Sequence, residues 1–515
     1  MKFLRELPAL VGLVIGLLLM WWLGGAFVLN GVLEGTGWAE FINSAWTFGT
    51  DKAQAANDFR GHLHPLLVSA IGDQMGSYGN AALLVTSLSF AAMVFSAALA
   101  GRALAGPWAG GGAAALVGLT AGHLDAAHWV TTYPLLGGLT CLAMGLAVAT
   151  ARWGRPELAL LTGLVSAAMM ATDPRGVAFA VVAGALVLCG MLKATSWRRW
   201  ALFPLFVVML PLSEAGKPDA LKQLDRERIR TIQKGVIQRW IDLSGDHELV
   251  RACAPVVPDG LLEARTMAGP CGRELVRFNF RDRLPKHLPL GHLGWLGLLG
   301  VLIPLRRDWR SSVISAVFFV GYGGALLVML AASPAPPRYL LQFGLLFALP
   351  ATVGLERLVR LVPGRVWIPE VLAGAAISAL LGLSWSLDPS ERGGVTDLKR
   401  NPWYGASNDA AALVRAHLKA DDAILDCSGH AILVHLAPRR RPVREWNDWW
   451  QWTLSKRTRP VCLDWVAQGE PGRLVVLRVQ PRDEVEHRLE SETSHWEELG
   501  SNDTVRILRA TEDTP

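Results

Sequence analysis

The feature that most constrains this chain is a series of apolar segments of roughly 20 residues, several of which contain no charge. A helix needs about 20 such residues to cross the hydrocarbon core of a bilayer. Charged residues make up only 18% of the chain, whereas soluble proteins carry about 25%. These properties predict a mainly α membrane protein, and they exclude a disordered, collagen-like or small disulfide-scaffold chain.

Eleven apolar segments can be recognised, and we interpret each of them as a transmembrane helix. The first ends at Leu29, and the others lie at about 80–100, 108–122, 131–150, 157–172, 176–192, 199–212, 289–305, 311–332, 338–355 and 367–386. The first segment is too long for the apolar region of a signal peptide and has no convincing cleavage site after it. We therefore expect it to remain as a membrane span.

The basic residues of the short loops fall on one side of this arrangement. With a cytoplasmic N-terminus, the inside loops hold Arg102, then Arg152 and Arg155, then Lys193, Arg198 and Arg199, then Arg306, Arg307 and Arg310, and finally Arg357, Arg360 and Arg365. This distribution satisfies the positive-inside rule and predicts an external C-terminus. The net charge of +6 is thereby explained by membrane topology, and we predict no nucleic-acid partner.

Two domains follow from this topology. Residues 1–386 form a polytopic transmembrane domain with large external loops at 30–79 and 213–288, and residues 387–515 form an external soluble domain. The spacing of apolar residues in the second domain predicts a helix over 407–418 and strands at 422–426, 431–436, 473–479 and 504–508. We therefore expect a small α/β domain.

Four of the six cysteines lie in the predicted external segments. Cys253 and Cys271 share the loop at 213–288, and Cys427 and Cys462 share the C-terminal domain. An oxidising exterior favours disulfides, although sequence alone does not determine their connectivity. We predict that at least one of these two pairs is bridged.

The first external loop contains the residues best suited to chemistry. Glu34 opens it, and Asp58, Arg60, His62 and His64 follow close to the second span. A carboxylate can act as a base toward an acceptor hydroxyl, while Arg and His can bind a phosphate. The alternative is an amphipathic helix on the membrane surface whose polar groups face water. A His-Leu-His zinc site is a further alternative, but no matching Cys or His cluster lies nearby, so we assign no metal.

Three further stretches, together with the acidic start and the His-Pro-Leu turn of the first loop, resemble the GT-C superfamily. Tyr133-Pro134-Leu135 opens the fourth span, Thr172-Asp173-Pro174-Arg175 separates the fifth and sixth spans, and Pro337-Arg338-Tyr339-Leu340-Leu341 opens the tenth span. GT-C proteins are polytopic glycosyltransferases that use sugars linked to polyprenyl phosphate. Their pattern of spans and loops, including an external C-terminal domain, resembles nearly the whole of this chain.

The resemblance implies a role for each of these residues. Glu34 or Asp58 would deprotonate the acceptor or stabilise the leaving sugar. The donor phosphate would be held by cations and their neighbours, drawn from Arg60, His62, His64, Asp173, Arg175, Arg338 and Tyr339. A divalent cation shared by the carboxylates is an open alternative, because hard cations prefer oxygen ligands. The sequence departs from the family pattern at Glu34, where Asp is usual, and at Gln342, where Pro is usual.

The predicted function is transfer of a sugar from a polyprenyl-phosphate carrier to a lipid, glycan or protein acceptor on the external face of the inner membrane. Membrane lipids are the other expected partners. Two alternatives remain open, namely a transporter or flippase of lipid-linked saccharides and a non-catalytic scaffold of the same fold. A transporter would show ionisable residues in mid-span or a repeated half, whereas the chain contains few of the former and no repeat.

Overall fold

The fold is given by a computed structural model. It describes residues 2–24, 61–75, 78–123, 131–191, 197–217, 241, 245–254, 269–284, 297–301, 309–332, 340–362, 367–387, 412–414, 416–417, 423–426, 473–478, 496–502 and 505–511. Within these ranges, helices precede a small sheet at the C-terminal end.

The helices of the first half are α1 (Lys2–Gly24), α2 (Leu63–Met75), α3 (Tyr78–Leu104), α4 (Pro107–His123), α5 (Thr132–Trp153), α6 (Pro156–Thr172), α7 (Gly176–Met191) and α8 (Leu202–Met209). A short helical turn, Trp197–Trp200, precedes α8, and a 3-10 turn, Leu210–Glu214, follows it. The helices of the second half are α9 (His247–Cys253), α10 (Pro270–Phe278), α11 (Gly297–Val301), α12 (Trp309–Ala332), α13 (Gly344–Val359) and α14 (Trp367–Leu387).

A described helix lies over each of the eleven predicted apolar segments, although only 297–301 is described in the eighth. By length and composition, four helical stretches could cross a membrane, namely Gly79–Leu104, Thr132–Trp153, Trp309–Ala332 and Leu341–Val359. Shorter apolar helices lie at Glu6–Trp22, Pro156–Thr172, Gly176–Met191, Leu202–Glu214 and Ile368–Leu383. The mainly helical class predicted from the sequence is confirmed; the count of eleven spans stays a prediction.

Helix α5 is the central helix of this bundle, and local chemistry defines both of its ends. Thr131 has an extended backbone and its hydroxyl accepts a hydrogen bond from the Tyr133 N–H at 3.3 Å, which caps the first turn. Gly154 ends the helix in the left-handed conformation, with φ of 62°, and its N–H donates to the Thr150 carbonyl at 2.8 Å. Nearly every side chain between these caps is buried.

Glycines allow α1 and α4 to approach each other closely. A Cβ atom on Gly12 would lie 2.2 Å from the Gly111 Cα, and one on Gly16 would lie 2.4 Å from the Ala114 carbonyl oxygen. Gly111 belongs to a run of three glycines at 110–112, which leaves this turn of α4 without side chains. Small residues at such contacts permit the van der Waals interactions that join helices in lipid.

A fully buried arginine, Arg357, joins four helices at one end of the bundle. Its guanidinium donates to five oxygen atoms, those of the Leu104, Val301 and Ser311 carbonyls and the Ser311 and Ser315 hydroxyls. The predicted position of Arg357 in a loop between two spans is wrong, whereas the cytoplasmic side of this end stays a prediction. The residue lies in the last turn of α13 and stabilises the contact between helices.

A disulfide joins α9 and α10 in the segment that follows the seventh predicted span. Cys253 and Cys271 are bonded, with their Cα atoms 4.7 Å apart, which confirms the prediction of at least one bridge. Asp246 caps α9 by accepting from the Leu249 N–H at 3.0 Å. That hydrogen bond, with a smaller contribution from Arg281, lowers the pKa of Asp246. Cys427 and Cys462 lie outside the described residues.

The C-terminal region contains a four-stranded sheet of β1 (Ala423–Asp426), β2 (Arg473–Arg478), β3 (Trp496–Ser501) and β4 (Val505–Ala510), in the order β1-β2-β4-β3. The pair β1–β2 is parallel and the other two pairs are antiparallel. Three of these strands were predicted. The strand β3 was missed because its sequence, Trp-Glu-Glu-Leu-Gly-Ser, does not alternate and contains a bulge at Glu498 and Gly500. The predicted strand at 431–436 lies outside the described residues.

Candidate functional site

Two predicted site residues, His62 and His64, lie where the chain enters α2. The sequence analysis treated His64-Pro65-Leu66 as a turn leading directly into the second span, whereas these residues form the first turn of the separate helix α2. The two imidazoles are 3% and 1% exposed. They do not face water, as the amphipathic alternative required, because α2 packs against α3 and α5.

The position of His62 is fixed by hydrogen bonds to two other parts of the chain. Its Nε2 lies 2.8 Å from the Ala215 carbonyl oxygen, just after the 3-10 turn that follows α8. A carbonyl can only accept, so Nε2 carries the hydrogen in this contact. The preceding residue, Gly61, donates its N–H to the Thr172 carbonyl at 3.0 Å. The start of α2 is therefore held against the turn between α6 and α7.

That turn contains the predicted pair Asp173 and Arg175. Asp173 is 4% exposed, and its Oδ1 accepts from the Arg175 main-chain N–H at 2.9 Å and from Nε at 2.8 Å. Its Oδ2 accepts from the Arg175 Nη2 at 2.7 Å. A carboxylate that engages a guanidinium through two parallel bonds fixes the direction of the guanidinium plane.

The Arg175 side chain is held on its other side by an aromatic ring. Its Cζ lies 5.4 Å from the centre of the Tyr133 ring, at the start of α5. A cation over an aromatic face is attracted by the ring quadrupole. The Arg175 side chain remains 38% exposed, so a guanidinium of fixed orientation is accessible at this corner of the bundle.

The corner therefore joins four regions of the chain: the start of α2, the turn between α6 and α7, the start of α5, and Ala215 after α8. It combines a fixed cation with two buried imidazoles. An arginine of this kind can bind a phosphate through several N–H groups in one plane. Asp173 neutralises part of its charge, so its role in this geometry is to orient Arg175 rather than to contact an anion.

The other predicted site residues, Glu34, Asp58, Arg60, Arg338 and Tyr339, lie outside the described residues. Their roles stay predictions. The segment after Tyr339 is described, and there Gln342 is buried in a 3-10 turn. The Tyr322 hydroxyl donates a hydrogen bond to the Gln342 carbonyl, which fixes the start of the tenth predicted span to α12.

Sequence reasoning missed two contributors to the corner. Tyr133 was noted only as the opening of a span, although an aromatic residue directly after a helix cap is a recognisable signal. The Ala215 carbonyl had no signal at all, because a main-chain group 153 residues from its partner can be located only by tertiary structure.

A metal at the histidines is not favoured by their positions. His62 and His64 lie at a helix start, where residues two apart point to different sides, and not on a strand. Among the described residues, no group of three or more His, Cys, Asp or Glu side chains is arranged to hold a metal ion.

No family model matches the sequence, and no curated protein matches it either. Solved structures do match. ArnT from Cupriavidus metallidurans, bound to undecaprenyl phosphate, aligns with a TM-score of 0.53 and 12% identity over 98% of each chain. The same protein in the apo state aligns with a TM-score of 0.52 and 14% identity, over 98% of this chain and 97% of ArnT. An Archaeoglobus fulgidus oligosaccharyltransferase aligns with a TM-score of 0.46 and 13% identity, over 91% of this chain and 68% of the oligosaccharyltransferase chain.

The chain has the GT-C fold, and the resemblance that the sequence predicted is confirmed at that level. The ArnT alignment extends over the transmembrane helices and the C-terminal region together, because it covers 98% of this chain. At 12–14% identity, this likeness establishes the fold.

Proposed function

We propose that this protein is a membrane glycosyltransferase that moves a sugar from a polyprenyl-phosphate carrier to an acceptor on the external face of the membrane. The observation that carries the proposal is the Arg175 guanidinium, oriented by Asp173, stacked on Tyr133 and accessible at one end of the bundle. The ArnT structure of the same fold was solved with undecaprenyl phosphate bound. A lipid phosphate is therefore the ligand for which this cation is best suited.

The proposed reaction needs two kinds of group. The bond between the anomeric carbon and the phosphate oxygen breaks, a bond to the acceptor oxygen forms, and negative charge stays on the departing phosphate. Arg175 would stabilise that charge, together with Arg338 and Arg60. Glu34 or Asp58 would take the acceptor proton. His62 and His64 would line the site beside Arg175, with His62 held by the Ala215 carbonyl.

The proposal includes the topology. We place eleven transmembrane helices in residues 1–386, a cytoplasmic N-terminus and an external α/β domain at 387–515. The one-sided distribution of Arg and Lys supports this arrangement. It places the corner around Arg175 on the external side. Reporter fusions at the C-terminus should be active only outside the cytoplasm; activity confined to the cytoplasm contradicts the topology.

The distribution of buried ionisable groups favours a transferase over a transporter. Transport pathways require ionisable side chains in mid-span. The buried Asp, Glu, His, Lys and Arg residues of the described regions are His62, His64, Asp173, Glu356 and Arg357. The first three are at the corner and the last two are in the last turn of α13, so all lie at helix ends.

Binding of undecaprenyl phosphate to the purified full-length protein tests the proposal. Native mass spectrometry in detergent measures the bound fraction as the lipid is titrated. Arg175→Gln should weaken binding about tenfold, because it removes a charge-assisted contact. Arg155→Gln removes the same charge from the opposite end of α5 and should have little effect. Equal binding by wild type and Arg175→Gln would refute the assignment.

Turnover then separates an enzyme from a scaffold. A panel of radiolabelled undecaprenyl-phosphate sugars is offered to the protein in membrane extracts that supply acceptors. Glu34→Gln or Asp58→Asn should lower transfer while leaving lipid binding intact, and only one of the two should do so. Binding without transfer from any donor would favour the scaffold.

A further inference from the structure

A cluster of three arginines lines a crevice at the end of the bundle opposite Arg175. Its walls are Ala151 and Arg152 from the end of α5, Cys189 and Gly190 from the end of α7, Arg199 from the turn before α8, and Arg310, Val313 and Ile314 from the start of α12. The crevice is shallow and opens to solvent, with enclosed room for about one water molecule, so a larger group would lie across its mouth. Three cations therefore converge there from three elements.

The crevice is distinct from the corner around Arg175. Helix α5 carries Tyr133 at its first turn and Arg152 at its last, and its 22 residues span about 33 Å. That length matches the thickness of the hydrocarbon core of a membrane, about 30 Å. Arg175 and the arginines of the crevice thus lie at opposite membrane surfaces in the proposed topology.

Tryptophans indicate the depth of the crevice. Trp200 and Trp309 are exposed large side chains directly beside Arg199 and Arg310. The Arg310 Cζ lies 6.0 Å from the centre of the Trp309 ring. Exposed tryptophans beside arginines at the ends of apolar helices are typical of the headgroup layer. The cations are therefore at the level where lipid phosphates lie.

We propose that this crevice binds the phosphate of an anionic phospholipid headgroup. Guanidinium groups from separate helix ends can surround a phosphodiester and donate several charge-assisted hydrogen bonds to it. The partly exposed side chain of Val313 provides an apolar surface for the lipid beside the arginines. Bound in this way, one lipid would join α5, α7 and α12 at this surface.

Native mass spectrometry of the full-length protein tests the proposal, with phosphatidylglycerol and zwitterionic phosphatidylcholine as probes. Wild type should retain phosphatidylglycerol in preference to phosphatidylcholine. Arg199→Gln and Arg310→Gln should each weaken phosphatidylglycerol binding about fivefold, since one basic residue near an anionic surface contributes about that factor. Arg155→Gln, an exposed arginine of the same region that does not line the crevice, should bind as wild type does.

Two results would overturn the assignment. One is equal retention of the two lipids by wild type; the other is an equal loss in Arg155→Gln and Arg310→Gln, which would reduce the effect to net charge. Competition with inorganic phosphate distinguishes recognition of a lipid headgroup from binding of free phosphate. Displacement of phosphatidylglycerol at high phosphate supports recognition of the phosphate group. Binding of inorganic phosphate that depends on Arg310, without lipid binding, overturns the lipid assignment.

Discussion

Replacing Arg357 by methionine should destabilise the helical bundle by about 1–3 kcal/mol. The guanidinium is fully buried and donates to five oxygen atoms. Ser311 still donates to the Leu104 carbonyl, and Ser315 to the Ser311 carbonyl, in the variant. The Val301 carbonyl, by contrast, loses the Arg357 Nη1 at 2.6 Å. Unsatisfied buried acceptors cost about 1–3 kcal/mol each, and α11 and α12 lose their common contact.

The assay is thermal unfolding in detergent, followed by a thiol-reactive dye. Cys141 is a buried free thiol in α5, so its labelling reports the opening of the core. Arg357→Met should lower the midpoint by about 2–12 °C, given about 2–4 °C per kcal/mol for larger domains. The midpoint of Arg357→Lys should lie between those of wild type and Arg357→Met, because an ammonium keeps the charge but lacks the planar arrangement of donors.

The control is Arg155→Met, which makes the same change at an exposed position and should shift the midpoint by little. If Arg357→Met unfolds within about 1 °C of that control, the hydrogen-bond argument fails, since even one lost buried bond should exceed that shift. An increase in stability would show that desolvation of the guanidinium outweighs its contacts.

Three other predictions concern separate parts of the chain. Gly12→Leu should prevent the close approach of α1 to α4 and cost at least about 3 kcal/mol, whereas Gly382→Leu, where no atom lies within 4 Å of a Cβ, should be tolerated; detergent unfolding measures both. Cys253→Ser with Cys271→Ser should cost about 3 kcal/mol, as expected for a loop of 18 residues, and limited proteolysis should then cut between α9 and α10 sooner. Asp246 has a lowered folded pKa, so its stabilising effect is present above its unfolded pKa of about 3.9 and is lost as the pH falls through the folded value. Asp246→Asn should flatten that acid limb of the stability curve; an unchanged limb would contradict the cap.

Much of the transmembrane architecture could be predicted because hydropathy and charge act locally. Helices lie over every predicted apolar segment, and the ends of α5 follow from Thr131 and Gly154. The burial of Arg357 could not be predicted. A basic residue close to a loop satisfies the positive-inside rule equally well whether it faces water or bonds to carbonyls from three other helices.

The candidate site was predictable in its residue types and not in its geometry. The Thr-Asp-Pro-Arg motif drew attention to Asp173 and Arg175, but their ion pair depends on side-chain directions within a turn. The contact with Tyr133 joins residues 42 positions apart in the sequence, and only the crossing of α5 and α6 brings them together. A sequence motif can predict that a turn is present, whereas the contacts of its side chains depend on the tertiary structure.

The glycine contact between α1 and α4 has a consequence for assembly in the cell. The first helix is synthesised about 80 residues before its partner, and chains grow at about 5–20 residues per second. In the proposed topology, α1 therefore stays in the bilayer for about 4–16 s with its glycine face exposed to lipid. Its exposed apolar residues, including Leu10, Val14 and Leu18, favour contact with lipid and so keep the helix in the bilayer before its partner is made. Membrane insertion and helix association are thus separate events for this helix, and a substitution such as Gly12→Leu would affect only the second.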